Sequence, residues 1–152
     1  MRVVRKLLSV SARELRDLLV AQWSLWRAQW TIKRRPTGEL LDQWNAPPTP
    51  DDTTLPDAER LPRAREIGDA VRRVALYGIT RPQCLARSLA ISTMLEREGI
   101  RGAIVRIGVR PDNAKIAAHA WVEYAGEIVG DSRAHVRGFQ LLATAHGSPK
   151  RS

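Results

Sequence analysis

Cys84 is the only cysteine in a chain of 152 residues, which excludes an internal disulfide and removes any need for an oxidising compartment. Paired cysteines and closely spaced histidines are missing too, so the spacing gives no reason to expect a metal site. Long apolar runs are absent. The longest near the start, Leu7-Leu8-Ser9-Val10, is too short for the core of a secretory signal, and no stretch approaches the length of a membrane span. The expected compartment is therefore the cytoplasm. There is no internal repeat, and the arginines are scattered without a recognisable binding motif, which argues against a nucleic-acid partner. Length bounds the rest: about 150 residues make one domain, or one small domain with an appendage, with enough chain to bury a core.

Charge is plentiful but uneven. The net charge is +9. Residues 1–35 carry nine bases against two acids, 36–62 one against six, 63–110 ten against four, and 111–152 five against four. The one acidic stretch is also rich in proline, as in Ala46-Pro47-Pro48-Thr49-Pro50-Asp51-Asp52, and reads as a linker or surface-wrapping loop. A basic balance elsewhere fits an anionic membrane surface or an acidic protein partner.

Periodicity supplies the helices. From Leu8 to Lys33, the residues Leu8, Ala12, Leu15, Leu19, Trp23, Trp26 and Trp30 recur at helical steps, with Ser11 as N-cap and Glu14 as its capping-box partner; Pro36 closes the segment. The tryptophan stripe Trp23, Trp26 and Trp30 fits core packing, a partner-docking surface, or anchoring at a membrane interface. A second helix is expected from Pro62 to Tyr77, with Ala64, Ile67, Val71 and Val74 on one side and Gly78 as its stop. A third runs from Pro82 to Gly99, burying Leu85, Leu89, Ile91 and Leu95. Strands are expected at 103–109, 117–124 and 127–129, the last two joined by a hairpin at Ala125-Gly126. The chain thus divides into a helical segment (1–35), an acidic linker (36–61), a core (62–142) and a disordered tail (143–152). The fold class is α+β, with N-terminal helices followed by a cysteine-bearing helix on a small antiparallel sheet.

Chemistry concentrates at three residues. Cys84 falls where a loop turns into the third helix, beside Arg81 and Arg87, and a helix N-terminus with nearby cations stabilises a thiolate. His119 lies in a strand whose small neighbours, Ala118 and Ala120, leave room for a helix to approach. Asp131 follows just past the next strand, within reach of the far ring nitrogen of that histidine. Each residue alone reads as structural, a buried small hydrophobe or a satisfied strand histidine. Together, in the order Cys, His, Asp, they match the requirements of thiol-based acyl transfer. Gln83 is a candidate oxyanion donor beside the Cys84 amide, though it equally suits a helix cap. Ser88, one turn further on, and Trp121, on the His119 face of its strand, are candidates for supporting the site or touching substrate. His135 and His146 are expected to face solvent.

The segments Cys84-Leu85-Ala86-Arg87-Ser88-Leu89-Ala90, Gly99-Ile100, Ile107-Gly108-Val109 and Ala118-His119-Ala120-Trp121-Val122-Glu123 resemble the lasso-peptide leader peptidases, the stand-alone protease half of the lasso biosynthesis B protein. The resemblance covers residues 62–142 and not the N-terminal helix or linker. It implies a transglutaminase-like or papain-like core with Cys84 as nucleophile, His119 as general base and acid, and Asp131 as the orienting carboxylate. It implies no cofactor. It also implies the task of cutting the leader from a ribosomally made lasso precursor, which a small leader-binding protein presents and a cyclase later closes. With residues 62–142 committed to the core, this chain is expected to need that separate protein to grip the leader. The same three residues also suit an acyltransferase or transglutaminase, which differs only in whether water or an amine resolves the thioester. A third reading is a non-catalytic basic module that docks a partner through the tryptophan helix.

Overall fold

The computed structural model of the chain describes residues 11–35, 57–78, 83–113 and 115–146, the last four by their backbone. The expected helical start at Leu8, residues 36–56 of the linker, Arg81, Pro82 and the tail from 147 lie outside these residues.

Helix α1 (Ala12–Arg34) begins where Ser11 accepts a hydrogen bond from the Glu14 amide at 3.1 Å. Glu14 does not complete the capping box; its carboxylate pairs with Arg73 of α2 (Leu61–Tyr77). A short 3-10 turn, Ala58–Arg60, leads into α2, capped by the Asp57 side chain. Asp57 is fixed to the sheet, because its amide donates to the Tyr124 hydroxyl and that hydroxyl donates to its carbonyl, both at 3.0 Å. Helix α3 (Cys84–Arg97) has eight of its fourteen residues buried, the signature of a central helix with apolar residues nearly all round. It ends in a Schellman motif: Gly99 adopts φ +70°, its amide bonds to the Glu96 carbonyl, and the Ile100 amide reaches back to Leu95.

Four strands follow: β1 (Ile104–Asp112), β2 (Lys115–Tyr124), β3 (Glu127–Val129) and, after the short α4 (Arg133–Val136), β4 (Gln140–His146). They form one antiparallel sheet in the order β3-β2-β1-β4. Helix α3 packs on β2 and β1, α2 packs on α3 and β3, and α1 lies on α2 and α3. Ala120, Val122 and Tyr124 of β2 point into the core with Leu25, Ile67, Val71 and Leu95. The architecture is α+β, with the cysteine-bearing helix on a small antiparallel sheet.

Two sequence expectations change. Residues 143–146, assigned to a disordered tail, form the end of β4, which pairs along Ile104–Ile107 of β1 as the edge strand of the sheet. The core-facing reading of the tryptophan stripe is reversed. Asp17, Ala21, Ser24, Leu25 and Ala28 form the buried side of α1, while Leu15, Leu19, Trp23, Trp26 and Trp30 on the opposite side are each more than half exposed. Small residues let α1 approach α2 and α3 closely, which leaves the large ones outside.

Arg63 ties the three helices together. Its guanidinium holds Asp17 of α1 with two bonds, of 2.5 and 2.8 Å, and Glu98 at the end of α3 with bonds of 2.5 and 2.7 Å. That fork-to-fork geometry holds the carboxyl groups of Asp17 and Glu98 below the usual carboxylate range.

Candidate active site

Cys84 is the first residue of α3, and Gln83 is its N-cap. Strand β3 stops at Val129 opposite Val122, so β2 has an open edge two residues earlier, at Ala120. The Ala120 amide uses that edge to bond the Cys84 sulfur. His119, the next residue back, hydrogen-bonds with the same thiol. On the far side, His119 Nε2 meets Asp131 Oδ2 at 2.6 Å, so Nδ1 is the nitrogen left for sulfur. The other Asp131 oxygen accepts the Ser132 amide at 2.8 Å. Extending the β2–β3 register two residues past Val129 sets Asp131 opposite Ala120, which is why a residue twelve positions after the histidine comes back to it.

Glycines make this arrangement possible at two points. Gly130 has φ +76°, and a Cβ there would lie 2.5 Å from Ile91 and 3.2 Å from the Gly68 carbonyl of α2. Only glycine turns the chain towards Asp131 while touching the helix layer. Gly108, paired with His119 across the sheet, lies 2.9 Å in Cβ terms from both Trp121 and Phe139. Its missing side chain lets those two rings close over the strand. Around His119 they form an aromatic wall, with ring centroids at 6.1 Å for Trp121 and 5.2 Å for Phe139.

Electrostatics follow from the contacts. Burial pushes the Cys84 thiol up, but the His119 hydrogen bond, the Ala120 amide, the imidazolium charge and the Leu85 amide outweigh it and leave the thiol below its ordinary value. The bond to Asp131 and then the bond to Cys84 raise His119, against the opposing effect of burial, to about 9. Burial pushes Asp131 up, yet His119 and the Ser132 amide bring it below the usual carboxylate range. Thiolate and imidazolium therefore coexist between the lowered Cys84 pKa and about 9. The sign of the expected pH dependence follows. As pH falls through the Cys84 pKa the thiolate is lost, and as pH rises through about 9 the imidazolium is lost. Alkylation by iodoacetamide at neutral pH is expected to outpace that of free cysteine. His119→Ala should shift its pH profile upward towards that of an ordinary thiol. A profile unchanged by His119→Ala would show that the ion pair does not form.

The other residues singled out in the sequence take distinct positions. Gln83 makes no capping bond and is exposed, next to Cys84 in the chain. Ser88 is buried in α3; among the described residues, the hydrogen bonds that hold the Cys-His-Asp series come from its own members and from the Ala120, Leu85 and Ser132 amides. Trp121 is 5% exposed, donates from Nε1 to Glu123 at 3.0 Å, and backs the His119 ring. Trp23, Trp26 and Trp30 are not among the residues around the thiol. His135 is exposed, as expected, yet its ring also meets that of His119 edge-on at 4.5 Å, a contact not foreseen from the sequence. The signal available was Ser132, which caps α4 by accepting the His135 amide at 3.2 Å and so turns that histidine back towards Asp131. His119, Asp131 and His135 bring donor atoms within 4.8 Å of one another, a set of groups able to hold a divalent cation that linear spacing does not reveal.

The class defined by this fold is an α+β scaffold that draws Cys84 from a helix start and His119 and Asp131 from one side of a small antiparallel sheet. Residues 15–144 match the family model of the transglutaminase-like superfamily, and the chain belongs to that superfamily, whose members include cysteine proteases and acyltransferases. The match takes in most of α1 as well as the sheet. No curated protein and no solved structure matches the chain.

Proposed function

We propose that the chain is a cytoplasmic cysteine peptidase that removes the leader from a lasso-type precursor through Cys84, His119 and Asp131. The observation that carries this reading is His119, hydrogen-bonded to the Cys84 thiol on one side and to Asp131 on the other. Cys84 Sγ attacks the carbonyl carbon at the leader–core junction, and the oxyanion formed is met by the Cys84 amide and the exposed Gln83 side chain. As the C–N bond breaks, His119 gives its proton to the departing amine and a thioester remains. His119 then takes a proton from water, which attacks the thioester; the leader leaves as an acid and the thiol is restored. Asp131 keeps Nε2 occupied and holds the ring in place. The choice of substrate rests on the resemblance of the Cys84, His119 and Gly108 segments to the lasso leader peptidases.

A long leader supplies binding energy remote from the scissile bond, and a separate leader-binding protein would deliver it by raising the effective concentration. The cyclase would receive the product. The test is cleavage of such a precursor by the purified chain, with and without the leader-binding protein, followed by mass. A free carboxylate at the leader end and a large gain in kcat/KM with the second protein are expected. Equal kcat/KM in both assays would defeat the partner requirement. An amide at the leader end in the presence of a primary amine would assign the chain to the acyltransferases instead.

A further inference from the structure

The outward face of α1 is the largest feature that the chemistry at Cys84 leaves unexplained. Leu15, Leu19, Trp23, Trp26 and Trp30 form one continuous row, 51–65% exposed, on the side opposite the core. At the helical rise the row is about 22 Å long. Trp23 and Trp26 lie with ring centroids 5.2 Å apart, and the Arg34 guanidinium sits 3.7 Å above the Trp30 ring. Among the described residues, none of the three indole N–H groups donates to a protein acceptor.

Charge beside the row has one sign. Arg16, Arg27 and Arg34 run along one flank, and Lys33 lies on the other. The helix has two acids, and both are already taken by α2: Glu14 by Arg73 and Asp17 by Arg63. The sequence ahead of α1 continues the pattern, with Arg2, Arg5 and Lys6 among Val3, Val4, Leu7 and Leu8 and no acid. No helix among the described residues is long and apolar enough to cross a membrane.

We propose that this face of α1 docks on the surface of an anionic lipid bilayer, lying in the interface with Leu and Trp side chains among the acyl chains and the arginine row at the headgroups. Tryptophan suits that place because its ring is apolar while its N–H stays wet at headgroup level. An interfacial helix is defined by such a Leu/Trp face beside Lys and Arg. A second copy of the chain fits less well, since it would bring two basic rows together on molecules of net charge +9. The inference stands apart from the reaction proposed for Cys84.

The test is co-sedimentation of the full chain with vesicles of phosphatidylcholine alone and of equal parts phosphatidylcholine and phosphatidylglycerol. Binding to the anionic vesicles is expected to be about tenfold or more tighter than to the neutral ones, and to weaken as salt is raised. Combining Trp23→Ser, Trp26→Ser and Trp30→Ser should abolish it with the melting temperature preserved. If that variant does not fold, Arg16→Gln, Arg27→Gln and Arg34→Gln together must weaken anionic binding by a similar factor. Failure to bind anionic vesicles, equal binding to both compositions, or binding untouched by the folded variants would overturn the proposal. So would a tryptophan-dependent dimer in vesicle-free solution, which would give the face to a second copy.

Discussion

Replacing Cys84 with alanine is expected to abolish turnover and leave the fold intact. The thiol is half-buried at the start of α3, and its loss removes one small side chain from a helix otherwise held by Leu89, Ile91 and Leu95. Losing a nucleophile of this kind costs on the order of 10⁶ in kcat in well-studied triads. His119→Ala should cost nearly as much, because the same ring activates the thiol and supplies the proton to the leaving amine. Asp131→Asn should be milder than either. An amide can still hold the ring, although disturbing its tautomer costs up to about 10⁴ in related triads. The measurement is kcat/KM on the cleaved peptide, with the melting temperature as a folding control. Turnover by a folded Cys84→Ala protein would remove the thiol from the mechanism.

The second large effect concerns stability. Arg63→Ala leaves the Asp17 carboxylate buried in the seam between α1 and α2 without its counter-ion, and it frees Glu98 at the end of α3. Removing one partner of such a pair typically costs about 3–5 kcal/mol, and at this chain length each kcal/mol lowers Tm by roughly 2–4 °C. Arg63→Lys should recover little of the loss, because an ammonium cannot grip two carboxylates with paired donors. Acid titration provides a second readout. Asp17 and Glu98 titrate below their ordinary values in the folded chain, so their contribution is full above the unfolded carboxylate pKa and disappears as pH falls through the folded ones. Arg63→Ala should therefore flatten the acid limb of the stability curve. A variant with the melting temperature and acid sensitivity of the parent would show that the three helices are held by packing alone.

What the sequence revealed of this fold depended on how strongly each feature signals along the chain. The three residues at the site were legible because their order and placement are local facts: a cysteine at a loop-to-helix transition, a histidine between alanines in a strand, an aspartate after a glycine. Helix α1 was legible in extent but not in orientation. Its large side chains mark a stripe, but a stripe does not say what it faces, and the true core side is built from Ala21, Ser24 and Ala28, which carry little apolar signal. Strand β4 was hidden because Leu141 and Leu142 are adjacent, alternate with nothing, and are both exposed. For His135 the one signal was the capping serine Ser132, while Phe139 was out of reach, since only the absent side chain of Gly108 lets its ring come to His119.

Gly68 contributes no atom to the chemistry, yet position 68 is expected to behave in a mutational scan as if it did. A methyl group there would fall 2.6 Å from the Gly130 amide nitrogen and 2.6 Å from a Val129 side-chain carbon. Those atoms belong to the turn that delivers Asp131. Side chains at 68 would push that turn away from α2 and carry the carboxylate off His119, so tolerance at this position should follow the demands of the triad more closely than those of the helix. A compensating change would have to come from the facing side chain, Val129. This contact makes the seating of a helix with no reactive group part of the inheritance of the active site.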